Sequence, residues 1–264
     1  AKNAYHGSTM GALTLMGLEE RKKPFEPLIP EVEFIMYNSI EDIDKIDNKT
    51  SCVIVEAIQG SAGFILPEKD YLKKLKIKCK EVGALLILDE IQTGIGRTGK
   101  LFGFENFDCI PDVIVYGKGL GGGIPIGAFT SSKKIMDSLH KNPILGHITT
   151  FGGNPVITAA ALQTLKIVLD SELMTNTLQY ERFIRNKLKH HLIKEIRGLG
   201  LMLCLIMKDS ETADKLVLKA KEKGLILFWL LIEKRAVRIT PPLTISKKEL
   251  SEGCNIILDL LDTI

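Results

Sequence analysis

Three short apolar runs, each followed by glycines and an ionisable side chain, constrain the fold of this sequence more than any other feature. They cover residues 52–58, 84–88 and 113–116. Runs of this length, rich in Val, Ile and Leu and bounded by turn residues, are typical of strands buried in a parallel sheet. A fourth strand is predicted over residues 126–130, after a glycine-rich turn.

The segment between the first two runs predicts an amphipathic helix. Over residues 68–82 the apolar side chains recur at helical spacing, and Gly83 ends the pattern. The opposite face carries Lys69, Lys73, Lys76 and Lys80. We interpret these lysines as a solvated helix face and not as a basic binding patch. Strands that alternate with helices predict a mainly parallel sheet with helices on both faces, in which ligands bind beyond the carboxyl ends of the strands.

The later part of the chain has fewer glycines and predicts a second domain. Asn154 and Pro155 predict the start of a helix that runs to about residue 168. Beyond it, helices are predicted over residues 173–190, 211–223 and from 247, with strands over 193–206, 225–230 and 236–239. We therefore predict a large domain over residues 1–168 and a small C-terminal domain over residues 169–264.

Composition and charge argue against several classes of protein. The chain is 45% apolar and 25% charged, as soluble globular domains are, and its charge balance of 35 − 32 = +3 predicts neither a nucleic-acid nor a membrane partner. The apolar stretch at residues 224–232 is too short to span a bilayer. The five cysteines form no CxxC pair, which predicts no disulfide framework, no metal site and a cytoplasmic location. The sequence shows no signal-peptide pattern. Because it opens without Met and runs straight into motif-like sequence, it is expected to begin inside a larger protein.

Ionisable residues that could take part in catalysis follow the predicted strands. Glu56, Asp89 and Lys118 stand at strand ends and are therefore directed towards one crevice. Lys118 lies between two glycines, and a lysine held in a pocket can lose its proton and act as a Schiff-base nucleophile. A neighbouring carboxylate is what a pyridine cofactor requires to keep its ring nitrogen protonated. On spacing alone, an ordinary ion pair between lysine and aspartate stays an open alternative.

Three longer motifs favour the catalytic interpretation over an ordinary ion pair. They are DEIQTGIGRTG at residues 89–99, GKGLGGGIPIGA at 117–128 and TTFGGNP at 149–155. In this order they resemble the class III pyridoxal-phosphate aminotransferases, which include ornithine, acetylornithine and 4-aminobutyrate aminotransferases. The resemblance extends from Tyr5 to the last predicted helix and lacks the N-terminal portion of the family. It implies the type I α/β fold of pyridoxal-phosphate enzymes, with a mainly parallel large domain, a small C-terminal domain and pyridoxal 5′-phosphate as cofactor.

The resemblance implies a role for each matching residue around the cofactor. Lys118 would form the Schiff base and move a proton between the substrate and the cofactor. Asp89 would hold the proton on the pyridine nitrogen, and Gln92 would lie near the phenolic oxygen. Ile91 and Tyr5 would pack on the two faces of the ring, although a core tyrosine is the alternative for Tyr5.

The same resemblance extends to the periphery of the site. Glu56 would support it from behind the residues that touch the cofactor. Thr150 would reach the cofactor phosphate of a neighbouring subunit, which implies a homodimer with shared active sites. Arg238 and Thr149 would lie at the substrate, with Arg238 near a carboxylate, whereas Arg197 matches a motif of structural character.

Two serines depart from the pattern of the ornithine-type enzymes. Ser8 stands where ornithine and acetylornithine aminotransferases place an arginine that grips a carboxylate. Ser61 stands where they, and the 4-aminobutyrate enzymes, place a glutamate that pairs with the arginine at the position of Arg238. The segments that contain these serines, YHGST at residues 5–9 and QGSAG at residues 59–63, are more similar to the ω-amine:pyruvate branch of the same class. The resemblance therefore implies transfer of an amino group from an ω-amino acid, a diamine or an amine to an oxo acid, and leaves the donor open.

Other interpretations of these residues are weaker. Class III relatives include aminomutases and decarboxylases, which share the lysine and the aspartate. The glycines of residues 94–99 satisfy a dinucleotide-binding GxGxxG pattern, but the first does not follow the strand directly, which argues against a dehydrogenase. Leu101 stands where a phosphate-binding loop needs Ser or Thr. Presence of the lysine, the aspartate and Gln92 together argues against a binding protein that has lost activity.

Overall fold

The protein is built on two four-stranded sheets, seen in a computed structural model that describes residues 1–141 and 143–264. The first sheet has the order β1-β2-β3-β4, with β1 at Cys52–Glu56, β2 at Leu85–Asp89, β3 at Val113–Gly117 and β4 at Gly127–Ser131. Neighbours among β1, β2 and β3 are parallel, and β4 is antiparallel to β3. The α/β class predicted from the sequence is confirmed, with one antiparallel strand at the edge.

Helices connect and cover these sheets. The described residues form α1 Met10–Thr14, α2 Glu19–Lys22, α3 Ile40–Asp44, α4 Tyr71–Val82, α5 Lys133–Met136, α6 Pro155–Asp170, α7 Leu173–Lys187, α8 Ser210–Glu222 and α9 Lys247–Leu261. Helix α6 starts where Asn154 accepts hydrogen bonds from the first backbone N–H groups, as its sequence predicts. Helix α6 continues to Asp170 and so extends past the predicted domain boundary at residue 168. The division of the chain into two domains at that residue stays a prediction.

Helix α4 connects the first two parallel strands and covers one face of the first sheet. Its apolar side packs in one cluster with β1 and β2, where Leu75 and Leu88 are both 0% exposed. Burial of one such leucine contributes roughly 1.5–3 kcal/mol. The helix begins at Tyr71 and not at residue 68 as predicted, because Asp70 takes a left-handed φ of +65° that cannot belong to a helical turn.

The second sheet is antiparallel throughout and has the order β5-β6-β8-β7. Its strands are β5 Ile193–Leu199, β6 Met202–Met207, β7 Phe228–Trp229 and β8 Ala236–Ile239. All of β6 is buried, and α7, α8 and α9 contribute to the same core. β7 is shorter than the predicted strand over residues 225–230, because the Leu225 N–H bonds to the Ala220 carbonyl at the end of α8.

A small apolar cluster joins the two sheets. Phe64 from the loop after β1 is 0% exposed and packs with Met202 and Cys204 of β6. In the same loop, the Ser61 carbonyl accepts a hydrogen bond from the Ile232 N–H at 3.1 Å. The carboxyl end of β1 is therefore held directly against the second sheet.

Three further observations bear on membrane, metal and disulfide predictions. Across residues 1–141 and 143–264, no helix is long and apolar enough to cross a membrane. The same residues contain no group of three or more His, Cys, Asp or Glu side chains arranged to hold a metal ion. The five cysteines carry free thiols, and all but Cys52 are buried.

Candidate active site

Lys118 stands at the carboxyl end of β3, where the backbone changes direction. Its φ of +40° lies in the left-handed region, which costs a residue with a Cβ roughly 1–2 kcal/mol. Gly117 lies so near the Ile126 carbonyl that a Cβ there would be 2.9 Å from the oxygen. Backbone strain of this kind persists only where the surrounding structure enforces it, and it is concentrated at functional sites. The fold therefore holds Lys118 in one backbone orientation.

Charged groups from several strands act on the Lys118 amine. Although Lys118 is exposed, the protein around its amine removes enough water to lower its pKa. The negative charge of Asp89 opposes this lowering, and the positive charge of Arg238 adds to it. Tyr5 and Glu56 act in the same direction as Asp89. The structure thus brings these five predicted site residues within electrostatic reach of one another, and Lys118 loses its proton more readily than an ordinary lysine does.

Asp89 ends β2 with both carboxyl oxygens engaged. Oδ1 accepts a hydrogen bond from the Ile91 N–H at 3.0 Å, and Oδ2 lies 2.8 Å from Nδ1 of His6. Both side chains are buried, with 7% of Asp89 and 2% of His6 exposed. Sequence reasoning missed His6, although it directly follows Tyr5 in the sequence. The histidine fixes the orientation of the Asp89 carboxyl group.

Glu56 ends β1 directly beside Asp89 in the parallel register. One oxygen accepts a hydrogen bond from the Gly60 N–H at 3.0 Å, and the other has no hydrogen-bond partner of normal geometry in the described chain. Burial raises the pKa of Glu56 to about 8, against the opposing effect of the Gly60 N–H, and the charge of Asp89 raises it further. Glu56 is therefore largely protonated at neutral pH.

Gly60 allows two predicted site residues to converge. A Cβ at this position would lie 2.5 Å from Oε1 of Gln92 and 3.2 Å from Oε1 of Glu56. Any larger residue would therefore push the Gln92 amide away from the strand ends. Gly60 therefore leaves the space that the Gln92 amide occupies.

Glu90 is buried but points away from Asp89 and holds the following loop. Its carboxyl group accepts hydrogen bonds from the Gly103 N–H at 2.8 Å, the Phe104 N–H at 2.7 Å and the Thr93 hydroxyl. Burial raises its pKa to about 7 against the opposing effect of these donors. Glu90 anchors the segment that carries Ile91 and Gln92 and was not identified from the sequence.

Arg238 lies on β8, between Cys204 of β6 and Phe228 of β7 in the register. Its guanidinium carbon is 6.0 Å from the centre of the Phe228 ring. Among the residues that the structure describes, no group accepts a hydrogen bond from its buried Nε and no carboxylate forms a salt bridge with it. Burial lowers the pKa of Arg238. Its cationic head therefore has unused donors beside the Lys118 crevice.

The remaining predicted residues are less enclosed. Tyr5 is 37% exposed, and its hydroxyl lies 3.5 Å from the Ser8 hydroxyl. Ile91 is half-buried beside Asp89. Thr149 and Thr150 lie on an exposed segment before α6, and within the described ranges no hydrogen bond links their side chains to the strand-end residues.

Comparison with known proteins identifies the family. The profile described as Aminotransferase class-III matches residues 1–261. The chain belongs to the class III aminotransferases. It is 39% identical over 271 residues to an acetylornithine aminotransferase of Caldanaerobacter subterraneus subsp. tengcongensis, covering 100% of this chain and 67% of the relative. It is also 36% identical over 263 residues to a putrescine aminotransferase of Pectobacterium atrosepticum, covering 94% of this chain and 56% of that protein.

Solved structures agree in fold. The ornithine aminotransferase of Toxoplasma gondii ME49 superposes with a TM-score of 0.91 at 31% identity, over 99% of this chain and 63% of that one. A second structure of that parasite's enzyme is described as having partial occupancy of PLP at its active site. The type I fold predicted from the motifs is confirmed. The chain spans about two thirds of the length of the curated relatives it matches.

Class III aminotransferases depend on pyridoxal 5′-phosphate, and the residues present fit this group. An exposed lysine with a lowered amine pKa faces the same crevice as a carboxyl group whose orientation is fixed by a histidine. Nearby, Oε2 of Glu56 and Nε of Arg238 are buried without hydrogen-bond partners among the described residues. Orphaned polar atoms of this kind are expected where a polar ligand completes a site.

His6→Leu should reduce the free energy of unfolding by about 1–3 kcal/mol, because it leaves the buried Asp89 carboxyl group without one of its partners. Chemical denaturation of the cofactor-free protein measures this change. His140→Ala is the control, since its side chain is 72% exposed and its contact with Asp137 is 3.6 Å long. Equal effects of the two substitutions would contradict a specific role for the His6–Asp89 pair.

Glu56→Gln should stabilise the cofactor-free protein increasingly as pH rises from about 4.5 to about 8. The folded-state pKa lies above the unfolded value, so the folded protein binds the extra proton and loses stability across this window. Glutamine keeps the acceptor for Gly60 without a charge. Unfolding free energies measured at several pH values should show a growing difference, whereas exposed Glu20→Gln should show none. A pH-independent difference for Glu56→Gln would refute the raised pKa.

Proposed function

We propose that the protein containing this chain is a pyridoxal-phosphate-dependent aminotransferase that moves an amino group from an ω-amino acid, a diamine or an amine to an oxo acid. The observation that carries this proposal is the meeting of Lys118, in its enforced backbone conformation, with the Asp89–His6 pair at the ends of neighbouring strands. Relatives named acetylornithine and putrescine aminotransferases support a donor with a terminal amine.

The residues at the strand ends have different tasks in the proposed reaction. Lys118 binds the cofactor through its amine and later moves a proton at the substrate carbon that carries nitrogen. Asp89, held by His6, keeps a proton on the pyridine nitrogen. When bound, pyridoxal 5′-phosphate supplies an electron sink that stabilises negative charge on the substrate carbon.

The surrounding residues orient the cofactor. Gln92, beside which Gly60 leaves space, would donate from its amide to the phenolic oxygen of the cofactor. Tyr5 and Ile91 would cover the two faces of its ring. Glu56, largely protonated at neutral pH, supports the site without adding a second negative charge beside Asp89.

Arg238 and Thr149 bind the substrate in this proposal. The guanidinium group suits a carboxylate because it offers planar, paired donors with charge. Ser61 cannot neutralise it, since the loop after β1 presents a hydroxyl where ornithine-type relatives place a carboxylate. We expect Arg238 to be open to carboxylate-bearing acceptors in both half-reactions, which gives a broad range of amine donors.

A homodimer in the cytoplasm completes the proposal. Large apolar side chains surround the exposed Thr150: Ile148 is 71% exposed, Phe151 77% and Val156 68%. Exposed apolar groups in this density are typical of an interface with a second subunit. A second copy covering them would let Thr150 reach the cofactor phosphate of its neighbour.

Borohydride reduction of the full-length holoenzyme should attach the cofactor permanently to Lys118. Hydride converts the carbon–nitrogen double bond between the lysine and the cofactor into a stable single bond. Peptide mapping by mass spectrometry locates the added mass, and the Lys118→Ala protein serves as control. Label on Lys100 or Lys133 would refute the proposed role of Lys118.

Arg238→Ala should raise the KM for an oxo-acid acceptor far more than that for an amine donor without a carboxylate. Loss of a charge-assisted, paired contact costs about 2–5 kcal/mol. Single-turnover measurements of the two half-reactions separate the effects. Equal losses in both half-reactions, or none in either, would contradict carboxylate binding by Arg238.

Ser61→Glu provides the converse test. Ser61 lies two residues before Gly63, whose carbonyl is 3.4 Å from the thiol of Cys204, the register neighbour of Arg238. A glutamate at position 61 should therefore pair with the guanidinium and raise the acceptor KM. Ser61→Gln is the matched neutral control and should leave that KM nearly unchanged. The same rise in both variants would show that side-chain size, and not charge, is responsible.

A further inference from the structure

Arg97 joins the loop after β2 to the second sheet through a buried guanidinium group. Its Nη1 donates to the Pro241 carbonyl at 2.6 Å and to the Leu201 carbonyl at 3.2 Å. The Arg97 carbonyl accepts a hydrogen bond from the Leu201 N–H at 3.0 Å in return. Burial lowers the pKa of Arg97 to about 10. The three bonds link residues that are more than 100 positions apart.

The two carbonyl groups lie at the same end of neighbouring strands. β6 and β8 are antiparallel, with Leu203 opposite Ile239. Two residues further out on each strand, this register places Leu201 opposite Pro241. Arg97 therefore bridges the start of β6 and the exit of β8, and Arg238 stands three residues before Pro241.

The other end of this link is equally fixed. Arg97 follows Asp89 by eight residues, in the loop whose start is anchored by Glu90. A Cβ on Gly96 would lie 3.1 Å from the Leu243 side chain, and one on Gly200 would lie 2.6 Å from the Arg97 carbonyl oxygen. Such close contact leaves the loop little freedom to move relative to β8.

We infer that Arg97 is a positioning residue that sets the distance and direction of Arg238 relative to the Asp89–Lys118 crevice. Arg97 itself does not contact the substrate. It holds the C-terminal end of β8, the strand that carries Arg238. The inference rests on the proposed role of Arg238. A contact group displaced by 1 Å can lose about a hundredfold in effectiveness, so a loosened β8 weakens carboxylate binding without touching the cofactor residues.

A second arginine provides a matched control. Arg185 also donates to two backbone carbonyls, of Ile196 at 2.5 Å and Gly198 at 2.8 Å, and to Glu181 at 2.8 Å, but these bonds connect only α7 and β5. Arg185→Lys therefore removes the same kind of contact without altering the link between the loop after β2 and β8.

The test measures binding of glutarate, a dicarboxylate that cannot transaminate, to the full-length holoenzyme by titration calorimetry. Arg97→Lys should raise the Kd for glutarate by about tenfold or more, whereas the Kd for pyridoxal 5′-phosphate should change by less than about threefold. Arg185→Lys should lower the Tm but leave the Kd for glutarate within about twofold. In an Arg238→Ala background, Arg97→Lys should have no further effect on glutarate.

Arg97→Gln, which buries no unpaired charge, replaces Arg97→Lys if that variant fails to fold. Parallel weakening of glutarate and cofactor binding in the Arg97 variant would overturn the inference, because it indicates general structural damage. An Arg97 effect that persists in the Arg238→Ala background would overturn it too. If Arg238→Ala itself leaves glutarate binding intact, the proposed role of Arg238 fails instead.

Discussion

Two carboxyl groups lie side by side at the buried ends of parallel strands, and the rest of the site depends on how this arrangement is stabilised. Glu56 and Asp89 are register neighbours, so their charges act on each other through protein and not through water. The Asp89 carboxyl group is hydrogen-bonded to His6 and to a backbone N–H. Glu56 accepts a hydrogen bond from one backbone N–H, and its pKa is raised to about 8. Burial away from water disfavours a charge on Glu56 most, and the neighbouring charge of Asp89 adds to this effect, so Glu56 keeps its proton at neutral pH. The carboxyl group left to interact with Lys118 is then Asp89.

Backbone geometry solves the next problem, which is to place an amine opposite that carboxyl group. Lys118 accepts a left-handed conformation, and Gly117 and Gly60 remove the side chains that would block the approach. The left-handed conformation of Lys118 is a local requirement that costs about one or two kcal/mol, which a fold with extensive apolar cores tolerates. Apolar burial offsets this cost, for example that of Leu75 and Leu88, which are both 0% exposed.

Sequence reasoning succeeded where the physical cause is local. Apolar runs mark the strands, strand ends mark the crevice, and helix α6 begins where Asn154 caps it. It failed where the cause lies far away in the chain. His6 meets Asp89 across 83 residues, and no periodicity marks such a partner. The start of α4 was misplaced because a lone left-handed Asp70 leaves no trace in the pattern of apolar residues.

Two arginines near the site differ in how their guanidinium groups are hydrogen-bonded. Arg97 and Arg238 are both cations with pKa values lowered by burial, and neither forms a salt bridge within residues 1–141 and 143–264. Nη1 of Arg97 donates to two backbone carbonyls, which stabilise its charge. Nε of Arg238 has no acceptor among the described residues, and its guanidinium lies near the ring of Phe228. A buried guanidinium with satisfied donors resists exchange of partners, whereas one with an orphaned donor gains from any carboxylate that reaches it. The difference in hydrogen bonding, and not in charge, therefore separates Arg97, which we propose positions the site, from Arg238, which we propose binds a carboxylate.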